Sequence, residues 1–234
     1  MIKRLNNLLS AVRLTVRGNS LAEFATVSAL MATLAGTAAP ALSSLVNTAK
    51  VNKSTNEMDK ILVQAKNFYD ATADVEGRGR LPGQDKFNRA VGGFGPAIGT
   101  TLGQQNAALC CGEGSIFAQI GENVSFKSYD DENGSKWRSV FGTTNADAYR
   151  SGVLSEGHWS DDTYTACPTC KGTKPGHEEW LELFGDNTLS SPFQDGHFIY
   201  IVLAGGGTGE KAFPPILYVA DVENPAELHV TLAP

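Results

Sequence analysis

Four cysteines are the residues of this chain whose type and spacing best suit chemistry. They form two pairs, the adjacent Cys110 and Cys111 and the CxxC pair Cys167 and Cys170. In an exported domain, an even number of cysteines is most simply read as disulfides. Because a bridge between adjacent cysteines is strained, crossed links between the two pairs are favoured. A four-thiolate zinc site is one alternative, and thiol-disulfide exchange at the CxxC pair is another.

Carboxylate and amide side chains form two groups that would suit a hard cation such as calcium. The first group is Asp130, Asp131, Glu132 and Asn133, and the second is Asp186, Asn187 and Asp195. The main expectation is that the protein has no cofactor, with calcium at the second group as the minor one.

Two further patterns are only weak evidence for a binding or catalytic site. The glycine-rich string Gly205 to Gly209 lacks the lysine of a phosphate-binding loop and precedes no helix, so it predicts a hairpin loop. The four histidines show no metal spacing and no nearby nucleophile; they are His158, His177, His197 and His229. Nothing in these patterns predicts an enzyme.

A long apolar segment carries one carboxylate, Glu23. The run from Phe24 to Ala49 contains no charged residue. At about 1.5 Å per residue, this run is long enough as a helix to cross a hydrocarbon core of roughly 30 Å. A carboxylate at the edge of such a segment usually marks a partner or a function.

The charges flanking the segment predict its orientation. Lys3, Arg4, Arg13 and Arg17 precede it without an acid, which places the amino terminus in the cytoplasm and the rest outside. The chain carries a formal charge of -6, and removal of the four basic residues leaves -10. An acidic exterior argues against nucleic-acid binding, because that binding depends on lysine and arginine.

These features together resemble the class III signal and N-terminal helix of type IV pilins and type II secretion pseudopilins. The resemblance is carried by Gly18 at the end of the leader, by Glu23, by the uncharged run and by Pro40 within it. It implies that a prepilin peptidase removes residues 1–18 and methylates Asn19. The new amine then lies about one helical turn from Glu23, so it can pair with that carboxylate in the same subunit or in a neighbour.

The resemblance also implies partners and a location. The chain would wait in the inner membrane with the inner-membrane assembly machinery, then form a periplasmic or extracellular helical filament of identical subunits. Glu23 and Pro40 would belong to the assembly helix. One alternative is an uncleaved anchor or an ordinary signal peptide. Another is a membrane-anchored exported domain whose CxxC pair binds metal or exchanges disulfides.

The elements that must position these residues follow an α+β pattern. Residues 19–49 predict a transmembrane or filament-core helix, with a kink or locally melted segment at Pro40. Residues 50–75 continue it as an amphipathic helix with apolar residues three and four apart. Residues 76–234 predict an exported globular domain, in which a loop-rich middle region with short helices near 115–120 and 178–184 precedes three antiparallel strands. The pilin resemblance gives the same arrangement, a long helix packed on a C-terminal antiparallel sheet.

Overall fold

The computed structural model describes residues 2–89, 91, 105, 137–142, 174–193 and 196–234, with the side chains of residues 2–19 excepted. The four cysteines, the acidic run 130–133, Asp195 and the short helix expected near 115–120 lie outside the described residues. The described part forms two compact units, residues 1–49 and residues 50–234.

A single helix, α1, spans Ile2–Glu76. Its end follows from Gly77, which has a φ of 80° and donates its N–H to the carbonyl oxygen of Ala73 at 2.9 Å. A residue in this left-handed conformation closes the last turn, and glycine adopts it without a steric penalty. The predicted long helix is therefore confirmed, and Gly77 caps it.

The sheet has four antiparallel strands in chain order. They are β1 (Arg138–Ser139), β2 (Phe198–Leu203), β3 (Ile216–Asp221) and β4 (His229–Leu232). In the central pair, Tyr200 lies opposite Val219 and Ile201 lies opposite Tyr218. The three predicted strands are confirmed, and β1 is an additional short strand that the sequence did not indicate.

The second half of α1 packs against one face of this sheet. Met58, Ile61 and Ala65 of the helix are buried in the same apolar cluster as Tyr200 and Val219 of the sheet. Burial of a side chain as large as Met58 or Ile61 stabilises the fold by about 1.5–3 kcal/mol. The prediction of a long helix on a C-terminal antiparallel sheet is confirmed at this level, and the class is α+β.

The opposite face of the sheet is also buried. Ile199, Ile201 and Tyr218 are 0–1% exposed and form a second cluster with Trp137. Trp137 meets Tyr218 edge to face, with 5.9 Å between the ring centroids. Two buried faces explain why β2 reads as the uninterrupted apolar run FIYIVL and does not alternate between apolar and polar residues.

Two short helices complete the described fold. The helix α2 spans Gly176–Leu183 and places Trp180 edge to face with Tyr200. This matches the helix expected at residues 178–184. A 3-10 turn at Gly209–Lys211 lies in the connection between β2 and β3, so the glycine-rich string does form a hairpin loop.

Candidate functional site

The first half of α1 presents its apolar side chains to the surroundings. Ile61 in the second half is completely buried, whereas Leu21 and Phe24 are each 74% exposed. The other large exposed side chains of this half are Val27, Leu30, Met31, Leu34, Leu42, Leu45 and Val46. Soluble proteins rarely leave a contiguous apolar surface of this extent uncovered, so it marks a segment that meets lipid or another protein.

The same segment satisfies the length and composition of a membrane span. Within the helix from Ser20 to Glu76, a continuous window is apolar enough to cross a bilayer, and none of its side chains is buried. Among the described residues, one helix near the amino terminus could therefore span a membrane. The expectation is confirmed only in this coarse form, and the location itself stays a prediction.

Threonines within this half bond to the helix itself. The hydroxyls of Thr26, Thr33, Thr37 and Thr48 each donate to a carbonyl oxygen three or four residues earlier, at 2.8–3.1 Å. In hydrocarbon a polar group without a partner costs several kcal/mol. The back-bonded hydroxyls remove that cost, so a threonine-rich helix remains compatible with lipid and with close helix packing.

Glu23 is the single ionisable residue between Ser20 and Ala49. Its side chain is exposed, and among the described side chains no cation pairs with its carboxylate. Its backbone carbonyl accepts the Thr26 hydroxyl at 2.9 Å. Gly18 and Asn19 lie in the same helix one turn earlier, so the backbone places the expected cleavage point next to Glu23 on α1.

Pro40 lies inside α1, and the helix continues through it. A proline removes the hydrogen bond to the carbonyl four residues earlier, here that of Gly36. The sequence predicts a kink or a locally melted segment; the helix is not melted at Pro40 in this structure, and the kink stays a prediction. The Thr37 hydroxyl donates to the carbonyls of Thr33 and Leu34 in the preceding turn.

Two of the residues considered for calcium, Asp186 and Asn187, lie just after α2. Asp186 follows α2 with a φ of 61° and donates its N–H to the carbonyl of Leu181 at 2.8 Å. The Asn187 amide donates to the carbonyls of Phe184 and Gly185. These bonds close the end of α2. Among the described residues, no three His, Cys, Asp or Glu side chains group as metal ligands.

A buried carboxylate that the sequence did not single out joins three segments. Asp221 at the end of β3 accepts the hydroxyls of Ser54 in α1 and of Ser191, each at 2.6 Å. It also accepts the backbone N–H of Glu223 at 3.1 Å. Ser54 occupies a buried position one turn before Met58, where the apolar spacing gave no signal for a polar residue. This network fixes the helix onto the sheet.

A second buried group holds the chain where it leaves α1. Arg80 binds Glu179 of α2 at 2.8 Å and Glu76 at 3.0 Å, and Glu179 also accepts the N–H of Gly83 at 2.7 Å. Burial raises the pKa of Glu179, although Arg80 and the Gly83 N–H partly offset the effect. The guanidinium of Arg80 also lies over the ring of Phe68, 4.9 Å from its centroid. These contacts join the end of α1, the loop after it and α2.

Among the described residues, the first half of α1 thus has an exposed apolar surface that we expect to contact lipid or another protein. Comparison of the whole chain with known proteins does not place it in a family. No protein-family model matches it, and no curated protein or solved structure matches it either. The assignment of a function therefore depends on the residues and contacts described above.

Proposed function

We propose that this chain is a structural subunit of a type IV pilus or of a pilus-like filament of the type II secretion kind. The observation that carries the proposal is the division of α1 into two halves. From Ser20 to Ala49 its apolar side chains are exposed, and from Val51 onward its apolar face is packed on the sheet. One continuous helix thus supplies both a segment for lipid or neighbouring helices and the support of the folded domain.

Glu23 gives that exposed half a specific means of assembly. A carboxylate in an apolar environment is costly unless a cation pairs with it. Cleavage after Gly18 would create an ammonium at Asn19, four residues from Glu23. In a bundle of staggered helices, the amine of one copy meets the carboxylate of the next. This pairing would set the axial register of the subunits, while the small and back-bonded residues allow close contact.

The proposal also includes the route by which the chain reaches the filament. Before assembly the chain would span the inner membrane once, with its folded domain outside the cytoplasm. A prepilin peptidase would process it, and the inner-membrane machinery would extract it into the filament. The alternative, an anchored domain that uses its CxxC pair, depends on cysteines outside the described residues.

Replacement of Glu23 separates these two functions. Glu23→Ala should abolish filaments or reduce them strongly, measured by electron microscopy and by immunoblot of the sheared fraction. Membrane insertion should be unchanged, because the substitution makes the segment more apolar. Asp59→Ala is the matched control, since Asp59 is an exposed acid in the packed half of α1. Normal filaments from Glu23→Ala would overturn the proposal.

The mature amino terminus gives an independent test. Mass spectrometry of the protein from cells that contain a prepilin peptidase should find a chain that starts at Asn19 and carries one added methyl group. Gly18→Val should leave the leader attached, because the peptidase of this family cleaves after glycine. An intact Met1 in the wild-type protein of such cells would contradict processing.

A further inference from the structure

An open pocket of about 500 Å³ lies where α1 ends. Its walls come from three segments, residues 76–78, residues 86–88 and residues 207–209. Gly205 lies two residues before the third segment, and its N–H donates to the carbonyl oxygen of Phe87 in the second segment, at 2.8 Å. The pocket therefore belongs to the folded domain and is preformed, and none of the functions considered so far uses it.

Two cations of this pocket have no acidic partner among the described residues. The guanidinium of Arg78 stacks over the ring of Phe87, 5.0 Å from its centroid, and this is a contact that leaves its N–H groups available. Lys86 lines the same pocket, and in the described part of the chain neither cation forms an ion pair. Among the described lining residues Glu76 is the one acid, and its carboxylate already accepts the Nε–H of Arg80 at 3.0 Å.

The local charge is positive in a chain that is acidic as a whole. Among the described residues of the pocket lining, Arg78 and Lys86 are basic and Glu76 is acidic, which leaves one positive charge, whereas the whole chain carries -6. A concave surface of this sign concentrates anions.

The glycine-rich loop, Gly205 to Gly209, and the residues around it add uncharged hydrogen-bond donors. Thr208 and Asn88 contribute a hydroxyl and a side-chain amide to the lining. Within the described residues, no acceptor binds the backbone N–H groups of Gly207 or Thr208. Gly207 has a φ of 74°, and a Cβ there would collide with the carbonyl of Lys211, so the loop keeps this shape only with glycine.

We propose that this pocket binds the anionic group of a small molecule, a phosphate or a carboxylate. Arg78 offers a planar fork of N–H donors that suits two oxygens at once, and Lys86 offers a compact charge. Backbone N–H groups and the Thr208 hydroxyl would satisfy the remaining oxygens. A metal cation is disfavoured, because the carboxylate of Glu76, the acid among the described lining residues, is already bound to Arg80. The site is separate from the assembly helix and does not depend on the filament function.

Binding is tested on the full-length chain in detergent micelles by isothermal titration calorimetry. The probes are inorganic phosphate, pyrophosphate and citrate, and vesicles with phosphatidylglycerol distinguish a lipid headgroup from a free anion. At least one free anion should bind with one-site stoichiometry. The double variant Arg78→Gln/Lys86→Gln should weaken binding by at least about tenfold, which corresponds to the loss of one charge-assisted contact.

The matched control is Lys50→Gln/Lys53→Gln. It removes the same charge, and Lys50 also lies over a phenylalanine ring, that of Phe193. The control should bind the anion like the wild type. Near-UV circular dichroism checks that both double variants are folded, and Thr208→Val provides a second variant if the first is not. An equal loss in both double variants, undiminished binding by the pocket variants, binding to the vesicles alone or no binding of any probe would each overturn the proposal.

Discussion

At the scale of single residues, the carboxylate of Asp221 replaces water for three donors. Ser54, Ser191 and the Glu223 N–H each bond to it, and both hydroxyls lie at 2.6 Å. A buried donor that loses its acceptor costs about 1–3 kcal/mol. Loss of the Asp221 carboxylate should therefore cost more stability than loss of any one of its three hydrogen bonds.

We predict that Asp221→Ala lowers the free energy of unfolding by about 3–5 kcal/mol, because it leaves buried hydroxyls without an acceptor. Ser54→Ala should cost less, about 1–2 kcal/mol, since Asp221 keeps its other two donors. Urea unfolding followed by tryptophan fluorescence measures both values. The double variant should be less destabilised than the two single losses added together. Strict additivity would show that the two side chains do not interact.

Glu179 predicts a dependence of stability on pH. Its pKa in the folded protein is raised by burial, so the folded state holds this proton more tightly than the unfolded state does. The contribution is therefore fully present below the ordinary glutamate pKa of 4.5 and is lost as the pH rises through the folded value. The free energy of unfolding should therefore fall as the pH rises through this window.

Glu179→Gln removes that pH dependence, and urea unfolding between pH 4 and pH 8 measures it. Relative to this variant, the wild type should lose stability as the pH rises. Glu178→Gln is the matched control, because Glu178 lies next to it in α2 with its side chain exposed. Parallel pH profiles for the wild type and Glu179→Gln would rule out this residue as the source.

At the scale of elements, the two halves of α1 should respond differently to the same truncation. Ile61→Ala opens a cavity beneath the sheet and should cost about 2–5 kcal/mol of unfolding free energy. Leu34→Ala removes a side chain that is 70% exposed and should leave unfolding of the domain unchanged. If α1 is an assembly helix, Leu34→Ala reduces filament yield instead. An equal loss of stability from both variants would contradict the division of the helix.

The sequence predicted the elements whose pattern is local and repeated. The spacing of Met58, Ile61 and Ala65 indicated the packed half of α1, and Gly77 follows it as a cap. The three C-terminal strands were equally clear, because β-branched and aromatic runs alternate there with turn residues. Patterns of this kind depend on neighbours in the chain, so they can be recognised without the fold.

The structure adds contacts between residues that are distant in the chain. The bond between Ser54 and Asp221 joins positions 167 residues apart, and the bond between Arg80 and Glu179 joins positions 99 residues apart. Neither pair has a sequence spacing that identifies its partner. The strand β1 was missed for the same reason, since its two residues become a strand only by pairing with β2. The exposed half of α1, in contrast, was already indicated by the uncharged run from Phe24 to Ala49, which has Glu23 at its edge.

At the scale of the whole molecule, the distribution of charge along the chain predicts its topology. Four basic residues precede the apolar segment and no acid accompanies them, whereas the remainder of the chain carries -10. The first half of α1 is long enough to span a bilayer and lacks any buried position in its apolar window. Basic residues next to a span stay in the cytoplasm. The folded domain should therefore be exported.

Alkaline phosphatase fused after Pro234 tests this orientation, because the enzyme is active only outside the cytoplasm. We predict high activity for the wild-type fusion and lower activity when Lys3, Arg4, Arg13 and Arg17 are replaced by glutamine, since the charge bias across the span is then lost. Lys50→Gln/Lys53→Gln is the control, because it removes basic residues from the opposite side and should preserve the orientation. Activity that falls in the control but not in the leader variant would reverse the predicted topology. Such a result would also remove the basis for export of the domain that α1 supports.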